Sequence, residues 1–253
     1  MLVDTHCHLD DPRFAGRLPD IRRRAAEAGI GRIIIPGTGP ASWAQTAVLA
    51  RADKQLYPAF GLHPMLADQY TSALLATLQQ HTQDAVALGE IGLDYSLADP
   101  SRETQIAAFR AQLRLAIKVG LPVMIHCRNA FHDLLNILRE ERAAQVGGVL
   151  HAFSGSPETA AECIKLGFAI AIAGTVTWHN AVRPLQVVAA TPLEHLLLET
   201  DAPDLTPEPH RGQGNEPAFL LETARKVAEI KGIPLAEVAA VTTANAVKLF
   251  RLP

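Results

Sequence analysis

Three cysteines are too few for a fully paired disulfide set, and their spacing matches no zinc-finger pattern. No apolar stretch approaches the length of a membrane span. The N-terminus lacks the basic and long apolar regions of a signal peptide. These absences predict a cytoplasmic protein, with no membrane association and no obligate protein partner. With 23 basic and 26 acidic side chains the formal net charge is −3, so no large basic surface is on offer to hold nucleic acid nonspecifically. An anionic substrate must then be gripped locally, by a few arginines and by metal. Low-complexity tracts, charge blocks and long Pro/Gly/Ser linkers are missing too, so residues 1–253 are expected to form one domain. Nor does a glycine-rich phosphate loop follow the first strand-like run, where a doubly wound sheet would usually carry one; DTHCHLDD stands there.

What the chain does contain is apolar residues (48%) and a regular alternation of short apolar runs with longer amphipathic segments. The runs predict strands over 2–6, 32–36, 56–61, 85–90, 122–126, 148–151, 168–173 and 195–199. Helical patterns lie between them over 19–28, 42–52, 72–81, 102–119, 130–142, 157–166 and 182–190, and two more follow over 216–230 and 235–250. Gly29, Gly120, Gly167 and Gly232 mark helix ends. Continuous apolar strands separated by helices indicate parallel pairing buried on both sides. The predicted fold class is α/β, a (β/α)8 TIM barrel.

Chemistry in such a barrel sits at the C-terminal ends of the strands. Those ends carry His6 and His8, His63, Glu90, His126, His151, and Glu199 with Asp201. Any one of these could be an ordinary surface or core residue, but their coincidence across strands points to a site. Side chains on a strand alternate, so His6 and His8 share a direction and Cys7 faces the helix layer. Cys127 stands in the same relation to His126, and Cys163 falls in a helix. All three are assigned to packing. Four imidazoles with carboxylates suit Zn, Mn, Co, Ni or Fe better than Mg or Ca alone. Six candidates from five strands exceed the needs of one structural zinc and suggest two divalent ions (Zn, Mn, Mg, Co or Ni) sharing Glu90 as a bridge. Asp201 can bind one ion and accept a water's proton. Glu199 reads equally as support for a ligand or as a buried structural acid.

The segments DTHCHLD, GLHP (61–64), GEIGLDY (89–95), HCR (126–128), HAFSGS (151–156), LETDAP (198–203) and PHRGQGNEP (209–217) together resemble the TatD family of metal-dependent hydrolases. Their order and spacing match along essentially the whole chain, to the terminal TTANAVKLF. The resemblance implies a metallo-dependent-hydrolase barrel, two divalent metals and deoxyribonuclease activity. By position it gives His6, His8, Glu90, His126, His151 and Asp201 as metal residues. Met65 stands where relatives commonly have a second histidine, and Gly214 where many have a basic residue.

Arg128, two residues past His126, is placed to clamp a phosphate. The SGSP at 154–157 resembles a helix start, with Ser156 as cap and Pro157 in the first turn, and a helix N-terminus favours anions. His63, Ser154 and Arg211 complete the expected substrate contacts, with His210 a further candidate donor. Asp94 and Tyr95 are read as shaping the loop after Glu90, and His81, His132, His179 and His195 as ordinary. Two functions compete: a deoxyribonuclease cleaving single-stranded DNA or DNA near a strand end through a metal-activated water, and a small-molecule hydrolase of lactones, amides or phosphoesters on the same barrel. Glu90, standing where a carboxylated lysine would favour the second, favours the first. Loss of catalysis is disfavoured because every expected ligand is present.

Overall fold

The computed structural model describes residues 1–253. Eight parallel strands follow one another around a barrel in sequence order. They are β1 (Leu2–Asp4), β2 (Ile30–Gly37), β3 (Leu56–Phe60), β4 (Ala87–Asp94), β5 (Val123–Arg128), β6 (Gly148–Leu150), β7 (Phe168–Ile172) and β8 (Leu196–Leu198). Helices α1 (Leu18–Glu27), α2 (Pro40–Ala52), α3 (Ser72–His81), α4 (Arg102–Val119), α5 (Phe131–Glu140), α6 (Pro157–Lys165), α7 (Arg183–Ala190) and α8 (Leu220–Lys231) alternate with them, and α9 (Leu235–Phe250) ends the chain. The gap between β8 and β1 is closed past the strand ends. Thr5 donates its N–H to Leu198 O (3.1 Å), Asp201 to His6 O (2.8 Å) and His8 to Ala202 O (2.8 Å).

Residue alternation sorts the apolar side chains into two layers. One residue from each strand fills the barrel axis: Val3, Ile34, Ala59, Ala87, Met124, Val149, Ala171 and Leu197. Their neighbours, among them Ile33, Ile35, Leu88, Ile125 and Ile170, face the helices. At the end of the barrel remote from the strands' C-termini, α9 plugs the axis with Ala246 and Phe250. Gly29, Gly120, Gly167 and Gly232 all adopt positive φ beyond their helices, as their placement predicts. Ser156 caps α6 by accepting the N–H of Thr159, with Pro157 in the first turn. No single helix is long and apolar enough to cross a membrane.

Strand ends differ most from the sequence pattern. β4 continues to Asp94, whereas β1 stops at Asp4 and β8 at Leu198. Phe250 carries the plug almost alone as a large ring, fully buried at 1% exposure. Phe250→Ala should therefore cost about 3–5 kcal/mol of stability, read as a drop in the urea midpoint. An unchanged midpoint would show that the axis closes without it.

Candidate metal centre

The centre is built on β4, and it depends on a break in that strand. Ala87 faces the axis, so strict alternation would turn Glu90 out into the helix layer. Instead the pairing with β5 shifts between Leu88 and Ile91. One extra residue enters, Ile91 and Leu93 return to the outer layer, and Glu90 points inward. β5 lies so close to this bulge that a Cβ on Gly89 would meet the Met124 Cβ at 2.5 Å. One on Gly92, where φ is +147°, would meet the His126 carbonyl oxygen at 1.9 Å.

β1 breaks as well. Val3 faces the axis, yet Cys7, which strict alternation would put on the same side, lies in the outer layer. Between them the buried Asp4 carboxylate accepts the His6 N–H (3.3 Å), the Thr200 N–H (2.9 Å) and the Thr200 hydroxyl (2.6 Å). Burial outweighs these bonds and pushes the Asp4 carboxyl up to about 7. His6 and His8 thus share the mouth and Cys7 faces away, as the sequence predicts. A turn tied to the end of β8 achieves it, because the regular strand ends before them.

Donor atoms converge on the two oxygens of Glu90. Its Oε2 lies 3.3 Å from His6 Nε2 and 3.8 Å from His8 Nε2, and Asp201 Oδ1 lies 3.6 and 3.5 Å from the same nitrogens. Its Oε1 lies 2.7 Å from His151 Nε2 and 3.0 Å from His126 Nδ1. Ring nitrogens crowd one another within each group: 3.2 Å for His6 and His8, 3.1 Å for His126 and His151. Such convergence of buried nitrogen and carboxylate lone pairs fits a divalent cation of the borderline transition-metal kind. All six expected ligands come together, in two groups that share Glu90. Burial alone would raise the Glu90 carboxyl, but His151, His63 and His6 hold it well below the usual range. Burial opposes protonation of His8, yet the hydrogen bond and charge of Asp201 raise it to about 9. Asp201 is correspondingly held low, against its burial, by His8 and His6.

A second layer of carboxylates stands behind the rings. Asp94 Oδ2 lies 3.2 Å from His126 Nε2, which leaves Nδ1 facing Glu90. Fully buried Glu199 lies 3.7 Å from His151 Nδ1 and accepts the N–H of Ala152. A carboxylate behind an imidazole sets tautomer and basicity, so Asp94 does more than shape a loop; Glu199 stands behind His151 beyond hydrogen-bond distance, and its bond is to the backbone of Ala152. Beyond the bulge Glu90, Gly92 and Asp94 recur every second residue, the signal by which Asp94 could have been found. Two buried glutamines of α4 hold the flanking backbone. Gln105 pairs with the N–H and C=O of Asp94, at 2.8 and 3.0 Å, and Gln112 with those of Leu62, at 2.7 and 3.1 Å.

Among the expected substrate contacts, Arg128 and Ser154 line a cavity of about 790 Å³ that His126, His151 and Asp201 also line. His63 does not face that cavity. Its Nδ1 accepts the N–H of Met65 (3.1 Å), so its Nε2 carries the proton and faces Glu90 Oε1 at 3.3 Å. With both nitrogens engaged, His63 is placed to orient Glu90. Arg211 does not line that cavity either; its guanidinium lies 4.2 Å over the ring of Trp178, which does. His210 stacks on Phe219 at 3.7 Å.

Residues 3–251 match the family model described as TatD related DNase. The chain belongs to the TatD family. As a TatD protein it is a metal-dependent hydrolase, and its relatives carry that description. It is 39% identical to a protein named as an uncharacterized metal-dependent hydrolase, YabD of Bacillus subtilis, across 100% of both chains. The crystal structure of Escherichia coli YjjV, a TatD homologue, superposes with a TM-score of 0.94 at 38% identity, over 100% of this chain and 98% of that one. A TatD family hydrolase from Entamoeba histolytica shares the fold, with a TM-score of 0.90 at 23% identity over 98% and 97% of the two chains. The two departures from the TatD pattern stay clear of the donor atoms. Met65 is 51% exposed, and a Cβ on Gly214 would meet nothing within 4 Å.

His8 couples metal binding to pH. Its pKa, raised to about 9, gives the protein without metal a stabilisation that is full below the unfolded value of about 6.5 and lost as pH rises through 9. A cation must displace that proton, so apparent affinity should climb by up to about tenfold per pH unit across this window. Calorimetric titration with Mn²⁺ at several pH values measures it, and a flat affinity would remove His8 from the ligand set.

Proposed function

We propose that this TatD protein is a deoxyribonuclease that uses two divalent cations to hydrolyse DNA phosphodiesters, acting on single strands or near a strand end. The observation that carries the reading is Glu90 offering one oxygen to each of two donor groups, beside a cavity lined by Arg128 and Arg183. His6, His8 and Asp201 would hold one cation, His126 and His151 the other, and Glu90 both. When bound, the cations supply charge that offsets the negative charge developing on the phosphoryl oxygens and lowers the pKa of water.

The chain's own groups do the rest. Arg128 and Arg183 present guanidinium groups that match a phosphate's paired oxygens. Asp201 lines the cavity and is held ionised by its histidines, so its carboxylate can take the proton of the attacking water. Water oxygen bonds to phosphorus opposite the leaving sugar oxygen, whose bond to phosphorus breaks. Asp94 keeps the His126 ring in place while charge shifts beside it, and the Glu199 carboxylate stands 3.7 Å behind His151 as a fixed negative charge. With a net charge of −3, the grip on an anionic polymer is confined to these few cations, which suits one or two phosphates more than a long duplex.

Asp201→Asn should lower DNA hydrolysis by about 10² or more, with kcat falling more than KM rises. The measurement uses cation-loaded protein on single-stranded DNA, duplex DNA and a panel of carboxylic esters and lactones. Rapid turnover of esters or lactones without DNA cleavage would instead establish a small-molecule hydrolase.

A further inference from the structure

The cavity beside the metal centre extends to one side only. Its walls come from β5 and the segments after β6, β7 and β8, and none of the first four strands contributes. At about 790 Å³ it holds far more than a phosphate group. Its wall away from the metal ligands combines an aromatic ring, an exposed apolar side chain and a cation: Trp178, Val182 and Arg183.

Trp178 is fixed before any ligand arrives. Its indole N–H donates to Thr206 O at 2.9 Å, so no polar atom of the side chain is left to satisfy. Arg211 sits over the ring at 4.2 Å, which covers one region of the π surface with a cation. What the half-buried ring still offers the cavity is apolar surface. Val182, next to it, is 65% exposed, one of only four large apolar side chains so exposed, and it too lines this cavity. Arg183 is held by its own bond to Ser154 O at 3.2 Å, which ties a guanidinium beside the apolar patch to the segment that follows His151 in the same cavity. A planar, mostly apolar group joined to an anion matches that sequence of surfaces.

We propose that Trp178 is a stacking platform for the nucleobase beside the scissile phosphodiester, with Val182 at its edge and Arg183 on the adjoining phosphate. The proposal rests on the phosphodiesterase reading above and adds a base-binding subsite to it. Stacking on a fixed ring is tolerant of base identity, because every base has a π face. The subsite therefore strengthens binding without selecting a sequence.

The chain's two tryptophans make the test direct. Trp43 is fully buried on α2 with its indole N–H bonded to Gly61 O, so ligand-dependent quenching reports Trp178. Zn²⁺-loaded protein is titrated with dAMP, dTMP and deoxyribose 5-phosphate while tryptophan emission is followed. Saturable quenching is expected from both nucleotides, none from the sugar phosphate, and none from any of the three in Trp178→Phe. On a single-stranded oligonucleotide, Trp178→Ala should raise KM about tenfold or more at constant kcat, and Trp178→Phe should recover most of it. DNA cleavage with an unchanged KM in Trp178→Ala, or without nucleotide quenching of the native protein, overturns the subsite and leaves the nuclease reading standing. Quenching in a protein that cleaves no DNA supports the subsite and overturns the nuclease reading. Should Trp178→Ala fail to fold, quenching of the native protein decides alone.

Discussion

One buried carboxylate organises this barrel's mouth. Glu90 is 2% exposed and faces five imidazoles, those of His6, His8, His63, His126 and His151, all within 3.8 Å. An ionised carboxylate in so dry a place would be costly unless paired. The surrounding histidines reverse the balance, holding it ionised against its burial. That constraint reaches into the backbone. Bringing Glu90 inward needs the extra residue in β4, and the extra residue needs glycine where β5 and β3 approach it. A Cβ on Gly61 would meet the Glu90 carbonyl oxygen at 2.7 Å.

The same constraint explains which parts of the structure were legible in the sequence. Parallel strands buried on both faces read as apolar runs, so all eight strands and nine helices could be placed, with helix ends marked by glycine and serine caps. The convergence of the six expected donors was legible because barrels put polar residues at one set of strand ends. Alternation alone was a weaker guide than it looked. It turns His6 and His8 the right way only because an Asp4 turn corrects the register, and applied from Ala87 it would have buried Glu90 among the helices. Breaks of register leave little compositional trace, since they depend on which residue pairs across the sheet.

Roles set by side-chain partners were less visible still. His63 lies just past β3 as His151 lies just past β6, yet a single backbone N–H, that of Met65, fixes its tautomer and engages its second nitrogen. Arg211 lies in a loop rich in polar residues and was a natural candidate for phosphate. Its guanidinium instead settles on Trp178, a residue with no chemistry of its own to draw notice. Gln105 and Gln112, spaced on one face of α4, pair with backbone at the ends of β4 and β3. Their meaning depends on where α4 lies, which no local pattern specifies.

These contacts divide the barrel's labour. Metal donors stand on strands, or on turns bonded to them, with carboxylates and amides behind, so their geometry is over-determined. The wall that would meet the rest of a substrate is built differently. Segments after β7 and β8 are joined to each other, by Trp178 to Thr206 and by the Glu208 N–H to the Thr177 hydroxyl at 2.8 Å, and Arg183 and Glu199 tie them across to the β6 side through Ser154 O and the Ala152 N–H. The wall is therefore stitched within itself, and it joins the expected donors through Asp201, whose carbonyl accepts the Asp204 N–H at 3.0 Å. Its side chains Trp178 and Val182 bond to none of those donors, so a change confined to them leaves Glu90 and its histidines undisturbed. The proposed chemistry thus rests on the strand ends and the proposed substrate contacts on two stitched loops, which is why family membership fixes the first more firmly than the second.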